Sequence, residues 1–386
     1  MRSVNLVAHN DITLLETGLA LFPAMLAAIE GAQYEIYFET YIFADDATGR
    51  AVEQALIAAS RRGVRVRVVT DWFGTGGKQC TRLGIAFAAA GVRYRAFNAW
   101  FKRGVARTHR KITVVDREVA YVGGININDD WYCDYDATKR LPAPRWDFAA
   151  EIRGPLVATI HHEMQAQWAR VGRLGLIKRI GLFREMRQQQ LPDGDKPMLA
   201  AFIVRDSLRN RHTIQRAYLQ AIGRAKKSIL LVNPYFAPGH KFRKALAVAG
   251  QRGVEVKLLI GVGEITLQDM VARSFYPKLL AAGVKVYEYR KTQLHAKVAV
   301  IDEDWSTVGS SNCDGLSLFL NQEANIVVKD VGFATVMRER IQKGLAEGVP
   351  ICAEEFEHVG WWRRTGYGTA YFFYRMAMRI FAIGYA

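Results

Sequence analysis

The sequence predicts an α/β protein made of two tandem copies of one domain, each a mostly parallel sheet flanked by helices. Three observations predict it. Alanine-rich helical stretches alternate with short apolar runs, the pattern of a sheet covered on both faces. Matching segments recur at a near-constant offset of about 190 residues. Both copies also carry one polar pattern in the same register, His109-Arg110-Lys111 with Asp116, and His295-Ala296-Lys297 with Asp302.

The elements follow in order. Ala28-Ile29-Glu30-Gly31-Ala32 matches Ala221-Ile222-Gly223-Arg224-Ala225 at the end of a first helix. Arg62-Gly63-Val64-Arg65-Val66 matches Arg252-Gly253-Val254-Glu255-Val256, and Gly91-Val92-Arg93-Tyr94 matches Gly283-Val284-Lys285-Val286. In each Arg-Gly-Val step the glycine suits the position just past a helix, and a valine-rich strand starts at once. Each copy therefore reads helix, strand, helix, strand, helix, strand, then the histidine strand, a turn, another strand and a long helix. The expected domains are residues 1–168 and 198–350. A basic linker over 169–197 contains the turn Leu191-Pro192-Asp193-Gly194, and an aromatic and basic tail spans 351–386.

The β-branched runs Ile112-Thr113-Val114-Val115 and Val298-Ala299-Val300-Ile301 read as buried strands. Strand side chains alternate, so His109 shares a face with Lys111, and His295 with Lys297. After six further residues beyond each aspartate come Gly123-Gly124-Ile125-Asn126 and Gly309-Ser310-Ser311-Asn312. A lysine cation and an asparagine amide suit the non-bridging oxygens of a phosphoryl group. Two histidines suit displacement at a phosphodiester, one attacking phosphorus while the other protonates the departing oxygen and then activates the incoming hydroxyl. Gly124, Asn126, Ser310 and Asn312 are thus phosphate-site candidates beside the catalytic set His109, Lys111, Asp116, His295, Lys297 and Asp302. Asp116 and Asp302 equally suit a structural role, ending a strand and fixing a turn.

Each histidine needs a group to hold its tautomer. Asp147 and Glu323 open equivalent runs in the two halves, and the expectation is that Asp147 serves His109 and Glu323 serves His295. Asp134 and Asp136 also lie near the right spacing after His109. Tyr41, Phe43, Tyr235 and Phe236 either line the site or pack in the core. His161-His162-Glu163 matches no metal-ligand spacing and reads as a plain helix face, and the chemistry calls for neither metal nor cofactor.

The doubled pattern resembles the phospholipase D superfamily and, within it, the bacterial cardiolipin synthases, most closely the B type. The likeness rests on the two motifs, Glu39-Thr40-Tyr41-Ile42-Phe43, Asn233-Pro234-Tyr235-Phe236, the stretch Gly309 to Asp314, and Leu318 to Asn325, and covers about residues 10 to 330. It implies phosphatidyl transfer through a phosphohistidine, with His109 as nucleophile and His295 as general acid and base. It also implies two domains related by a pseudo-twofold axis with one shared active site. Leu316 departs from the arginine that many relatives carry there, which removes one phosphate or headgroup contact.

Composition bounds the partners. The 386 residues are half hydrophobic, carry a formal charge of +16 and have a pI of about 9.7. That balance favours anionic partners, nucleic acid or anionic lipid alike. With the resemblance, the expected partners are an anionic phospholipid membrane and phosphatidylglycerol, with no nucleic acid. Cys80, Cys133, Cys313 and Cys352 show no framework spacing and read as free thiols in a reducing compartment. Neither a signal-peptide pattern nor a long uncharged stretch is apparent. The expectation is a peripheral enzyme on the cell (inner) membrane, at its cytoplasmic face. The tail, with Trp361-Trp362-Arg363-Arg364 and the run Tyr371 to Phe381, is either a membrane-surface helix or a helix packed on the second domain.

Overall fold

The computed structural model describes residues 5–134, 136–172, 197–206, 210–357 and 361–381. Most of the expected linker, including the turn Leu191-Pro192-Asp193-Gly194, lies outside these residues. The chain splits into two compact units, Met1–Asp129 with Ala149–Phe202, and Asp130–Phe148 with Ile203–Ala386.

The first unit begins with β1 (Val7–Glu16), α1 (Thr17–Gly31), β2 (Glu35–Thr40), α2 (Ala47–Arg61) and β3 (Arg65–Asp71). It continues with α3 (Gly77–Ala89), β4 (Arg93–Phe97), β5 (Ile112–Val115) and β6 (Val119–Gly123). It ends with β7 (Phe148–Arg153), α4 (Leu156–Val171) and β8 (Met198–Arg205), whose outermost residues cross the unit boundary. Strand order is β8-β1-β7-β6-β5-β2-β3-β4. The β2/β3 and β3/β4 pairs are parallel, while β2/β5, β5/β6 and β6/β7 are antiparallel.

The second unit repeats this plan with α5 (Thr213–Arg224), β9 (Ser228–Asn233), α6 (His240–Gln251), β10 (Glu255–Gly261) and β11 (Lys285–Tyr289). Then come β12 (Val298–Ile301), β13 (Trp305–Gly309), β14 (Glu323–Lys329), α7 (Val331–Glu347), β15 (Val349–Ile351) and α8 (Trp361–Phe381). Strand order is β15-β11-β10-β9-β12-β13-β14. Again β9/β10 and β10/β11 are parallel, while β9/β12, β12/β13 and β13/β14 are antiparallel. Each sheet is therefore mixed. Its βαβ half is parallel because a covering helix returns the chain, and its histidine half is antiparallel because a tight turn does.

Local chemistry sets the boundaries. Asp46 caps α2 by accepting from the Gly49 amide at 2.8 Å, and Asp330 caps α7 through Phe333 at 2.8 Å. Gly63 and Gly253 follow their helices at φ +96° and +85°, the conformation the Arg-Gly-Val steps called for. All four residues of β5 and of β12 are buried, so both histidine strands run through a core.

Asp116 and Asp302 end those strands at φ +51° and +49°. Asp116 accepts from the amides of Gln33, Tyr34 and Glu35 at 2.7, 2.8 and 2.8 Å. Asp302 accepts from those of Lys226, Lys227 and Ser228, at 2.8 Å from Lys227. These bonds support the structural reading of the two aspartates. They sit at the far end of a four-residue strand from the histidine, with their oxygens taken up by the turn that enters β2 or β9.

The tail helix α8 packs and is exposed at once. Tyr371 stacks edge-on with Phe275 at 5.0 Å and accepts from Arg243 at 3.1 Å, while Met378 is buried. Trp362, Phe372, Phe373 and Met376 stand exposed. No helix among the described residues is long and apolar enough to cross a membrane.

Candidate active site

In the second unit, the segment from Asp130 to Asp147 builds one wall of the site. Trp146 bridges to the chain beside Leu294: its amide donates to the Gln293 carbonyl, and the His295 amide donates to its own carbonyl, both at 2.9 Å. The next residue, Asp147, then meets His295, its Oδ2 lying 2.6 Å from Nδ1. This corrects the expected pairing: Asp147, from the first half of the sequence, orients the histidine of the second. The Nδ1 proton is held there, which leaves Nε2 for proton transfer. Asp134 Oδ2 lies 3.9 Å from that Nε2. Buried Arg145 fixes the segment through Asp130 at 3.2 Å, Asp134 at 3.0 Å and the Tyr132 carbonyl at 2.6 Å.

Lys297 is fully buried, donates to the His295 carbonyl and stands 3.8 Å from Asp147 Oδ2. Burial pushes its ammonium down to about 8, against the opposing pull of Asp147, Asp134, Glu323 and Glu264. Glu323 serves the turn: Ser310 Oγ donates to it at 2.5 Å and accepts from the Ala324 amide at 3.0 Å. Gly309 is required beside it, since a Cβ there would lie 2.3 Å from Asn325.

In the first unit, His109 and Lys111 share a face as expected. Lys111 Nζ donates to the His109 carbonyl at 2.8 Å and lies 5.2 Å from the Tyr41 ring centroid. Tyr41 also meets the His109 ring edge-on at 4.8 Å. Both flanks of His109 are pinned. The Thr108 amide donates to Asp71 at 2.9 Å and its hydroxyl to Glu39, while Arg110 pairs with Glu163 at 2.9 Å. Gly124 is buried on the turn between β6 and Asn126.

Asn126 and Asn312 are both buried, and the side-chain oxygen of each lacks a hydrogen-bond partner among the described residues. A buried unpaired amide oxygen is costly, and turning the amide presents its NH₂ instead. Each repeat thus sets an amide with unused capacity in the turn that follows its histidine hairpin, as a phosphoryl ligand needs.

The family model described as "Cardiolipin synthase, PLD-like domain" matches residues 25–142 and again 218–344, one match per histidine motif. Cardiolipin synthase B of Salmonella typhi is 36% identical over 340 residues, 86% of this chain and 80% of that protein. The protein of that name in Escherichia coli (strain K12) is 33% identical over 378 residues, 95% of this chain and 88% of its own. The chain belongs to the cardiolipin synthase family of phospholipase D-like proteins. The solved phosphatidylserine synthase of Haemophilus influenzae Rd KW20 superposes with a TM-score of 0.72 over 98% of this chain and 96% of its own, and at 13% identity that likeness shows the fold.

For this cardiolipin synthase family member, the remaining candidates sort by environment. Phe43 and Phe236 are core. Tyr41 faces His109, and Tyr235 donates to Glu264 at 3.2 Å. His161 lies on α4 with its Nε2 3.0 Å from Glu35, and no metal-binding group occurs among the described residues. Asp134 was one of several spacings open for His109, yet it sits by His295. Arg145, Gln293 and Glu264 belong to no motif and carried no sequence signal.

Proposed function

We propose that the protein makes cardiolipin by transferring a phosphatidyl group from one phosphatidylglycerol to another. His109 attacks phosphorus and the bond to the headgroup oxygen breaks. His295, as imidazolium, gives its Nε2 proton to that oxygen, and glycerol leaves. Nε2 then takes the proton of an acceptor hydroxyl, which attacks phosphorus and breaks the P–N bond to His109. Lys111, Lys297, Asn126 and Asn312 stabilise the non-bridging oxygens. Water in place of the acceptor gives phosphatidic acid. The observation that carries the mechanism is the 2.6 Å clamp of Asp147 on His295 Nδ1, which fixes one nitrogen for proton exchange. The family match supports the substrate class.

The enzyme works from the membrane surface, at the cytoplasmic face of the cell membrane. Trp362, 72% exposed, and Phe373, 63% exposed, on a helix in a chain of net charge +16, support contact with anionic headgroups. Replacing Trp362, Phe372 and Phe373 together by serine is expected to abolish sedimentation with anionic vesicles; undiminished sedimentation overturns the anchor.

The activity is tested with phosphatidylglycerol vesicles and, separately, DNA, with products read by mass spectrometry. Cardiolipin with released glycerol is the expected result. Phosphatidic acid alone makes the protein a lipase, cut DNA a nuclease, and no product a silent scaffold.

A further inference from the structure

A cleft of about 530 Å³ opens in the second unit, within the range of roughly 300–1,000 Å³ usual for small-molecule sites. Its wall lies near His295 through a chain of side-chain contacts. Gln293, two residues before that histidine, donates through Nε2 to Glu264 at 3.0 Å. Its Oε1 accepts from the Asp134 amide at 3.1 Å and from Arg145 Nε at 3.3 Å. Asp134 in turn reaches to 3.9 Å from Nε2.

The lining has two kinds of chemistry. Arg273 and Arg290 both pair with the one carboxylate of Glu288, at 2.8 and 2.6 Å, and the carboxylates of Asp136 and Asp269 stand in the same lining. Arg290 keeps more than half its side chain exposed, and Lys139 is exposed on the same cleft. Those cations suit a phosphate. Glu264 supplies a carboxyl, and the Thr292 hydroxyl, which donates to the Ala143 carbonyl at 2.6 Å, keeps its oxygen as an acceptor, both suited to an alcohol. Burial pushes Glu264 up to about 7, so near neutrality it both accepts from and donates to a hydroxyl.

We propose that this cleft, lined by Lys139, Glu264, Arg273, Arg290, Thr292 and Gln293, binds the phosphorylated polyol headgroup of the acceptor lipid and guides its hydroxyl to His295 Nε2. The inference rests on the transferase reading and adds to it what separates synthesis from hydrolysis. An acceptor held by its own phosphate and hydroxyls competes with water through bound orientation and not through concentration alone.

The test uses the full chain and soluble glycerophosphoglycerol, followed by calorimetry. The wild type is expected to bind it, and Arg290→Ala and Glu264→Leu to weaken binding at least about tenfold. Arg290→Ala, at the exposed rim, keeps the test meaningful if the buried change disturbs folding. Inorganic phosphate and glycerol, tried alone, are expected to bind more weakly. With phosphatidylglycerol vesicles, the ratio of cardiolipin to phosphatidic acid should fall about tenfold in Arg290→Ala. Absence of wild-type binding up to about 10 mM, equal binding by both variants, or equal binding of phosphate alone overturns the site. Headgroup binding without any cardiolipin formation leaves the site standing and overturns the transferase reading. Cardiolipin formation without headgroup binding does the reverse.

Discussion

The two histidines carry one motif in unlike surroundings. His295 has a carboxylate 2.6 Å from Nδ1 and another 3.9 Å from Nε2. His109 meets the edge of an aromatic ring, with the neighbouring lysine over that same ring. A carboxylate clamp prepares an imidazole to give and take protons. Duplication supplied two equal motifs, and the proposed mechanism gives the two histidines different roles. The largest effects should come from the histidines themselves. His109→Asn is expected to lower headgroup release about 10⁴-fold and to abolish acid-labile phosphoryl labelling. His295→Asn should slow turnover yet still accumulate label from a donor whose leaving group needs no proton. Label that survives the loss of His109 reverses the roles.

Asp147→Asn comes next. Its amide still fits the space but no longer stabilises the imidazolium, so kcat should fall about 10²- to 10⁴-fold. If the clamp matters for charge, the acid–base limbs of the pH profile should move with it. A lowered rate with an unmoved profile would reduce Asp147 to packing support. Tyr41→Leu, on the other histidine, should cost far less, about tenfold or below, and leave the profile in place.

That asymmetry was only partly legible in the chain. The alternation of helices and strands, the Arg-Gly-Val steps and both histidine strands follow from local rules, and the structure repeats them in each unit. The lysines and asparagines follow as well, because strand alternation and a fixed turn length place them. The partner of His295 did not follow. Asp147 stands 148 residues from it and belongs by sequence to the other repeat. Repeat logic assigns each carboxylate to its own histidine, whereas the segment Asp130–Phe148 packs with the second unit. Glu264 and Gln293 were illegible for a related reason, since their role lies in a hydrogen-bond chain through Asp134 and Arg145, which no spacing rule encodes.

A pH series sharpens the comparison from the lysine side. Lys297 is held at about 8 by burial, below the ordinary lysine value of 10.5. Below that pH it carries the charge that the proposed mechanism sets against the phosphoryl oxygens, and above it the charge is lost. kcat/KM should therefore fall as pH rises through about 8, and Lys297→Gln should lower the plateau and remove that limb. Stability should move the other way. Between about 8 and 10.5 the unfolded chain binds this proton and the folded chain does not, so raising pH through that window favours the fold. A basic limb that persists in Lys297→Gln would place the titration elsewhere.

The smallest effects should fall where the repeats are alike. Asp116 and Asp302 each take three backbone amides at the strand end remote from the histidine. Burial raises the Asp302 carboxyl, but the amides of Lys227, Lys226 and Ser228 outweigh it and hold the group below its ordinary value. That contribution is present above the usual carboxylate range and fades as pH falls through the lowered value. Because the site is partly exposed, Asp302→Asn should cost only about 1 kcal/mol, read as a shift of a few degrees in Tm near neutral pH that shrinks in acid. Activity per folded molecule should stay within about twofold, in either repeat. A loss approaching that of Asp147→Asn with an unchanged Tm would return these aspartates to the chemistry, because a turn that only fixes the chain cannot slow a step at the other end of the strand without loosening the fold.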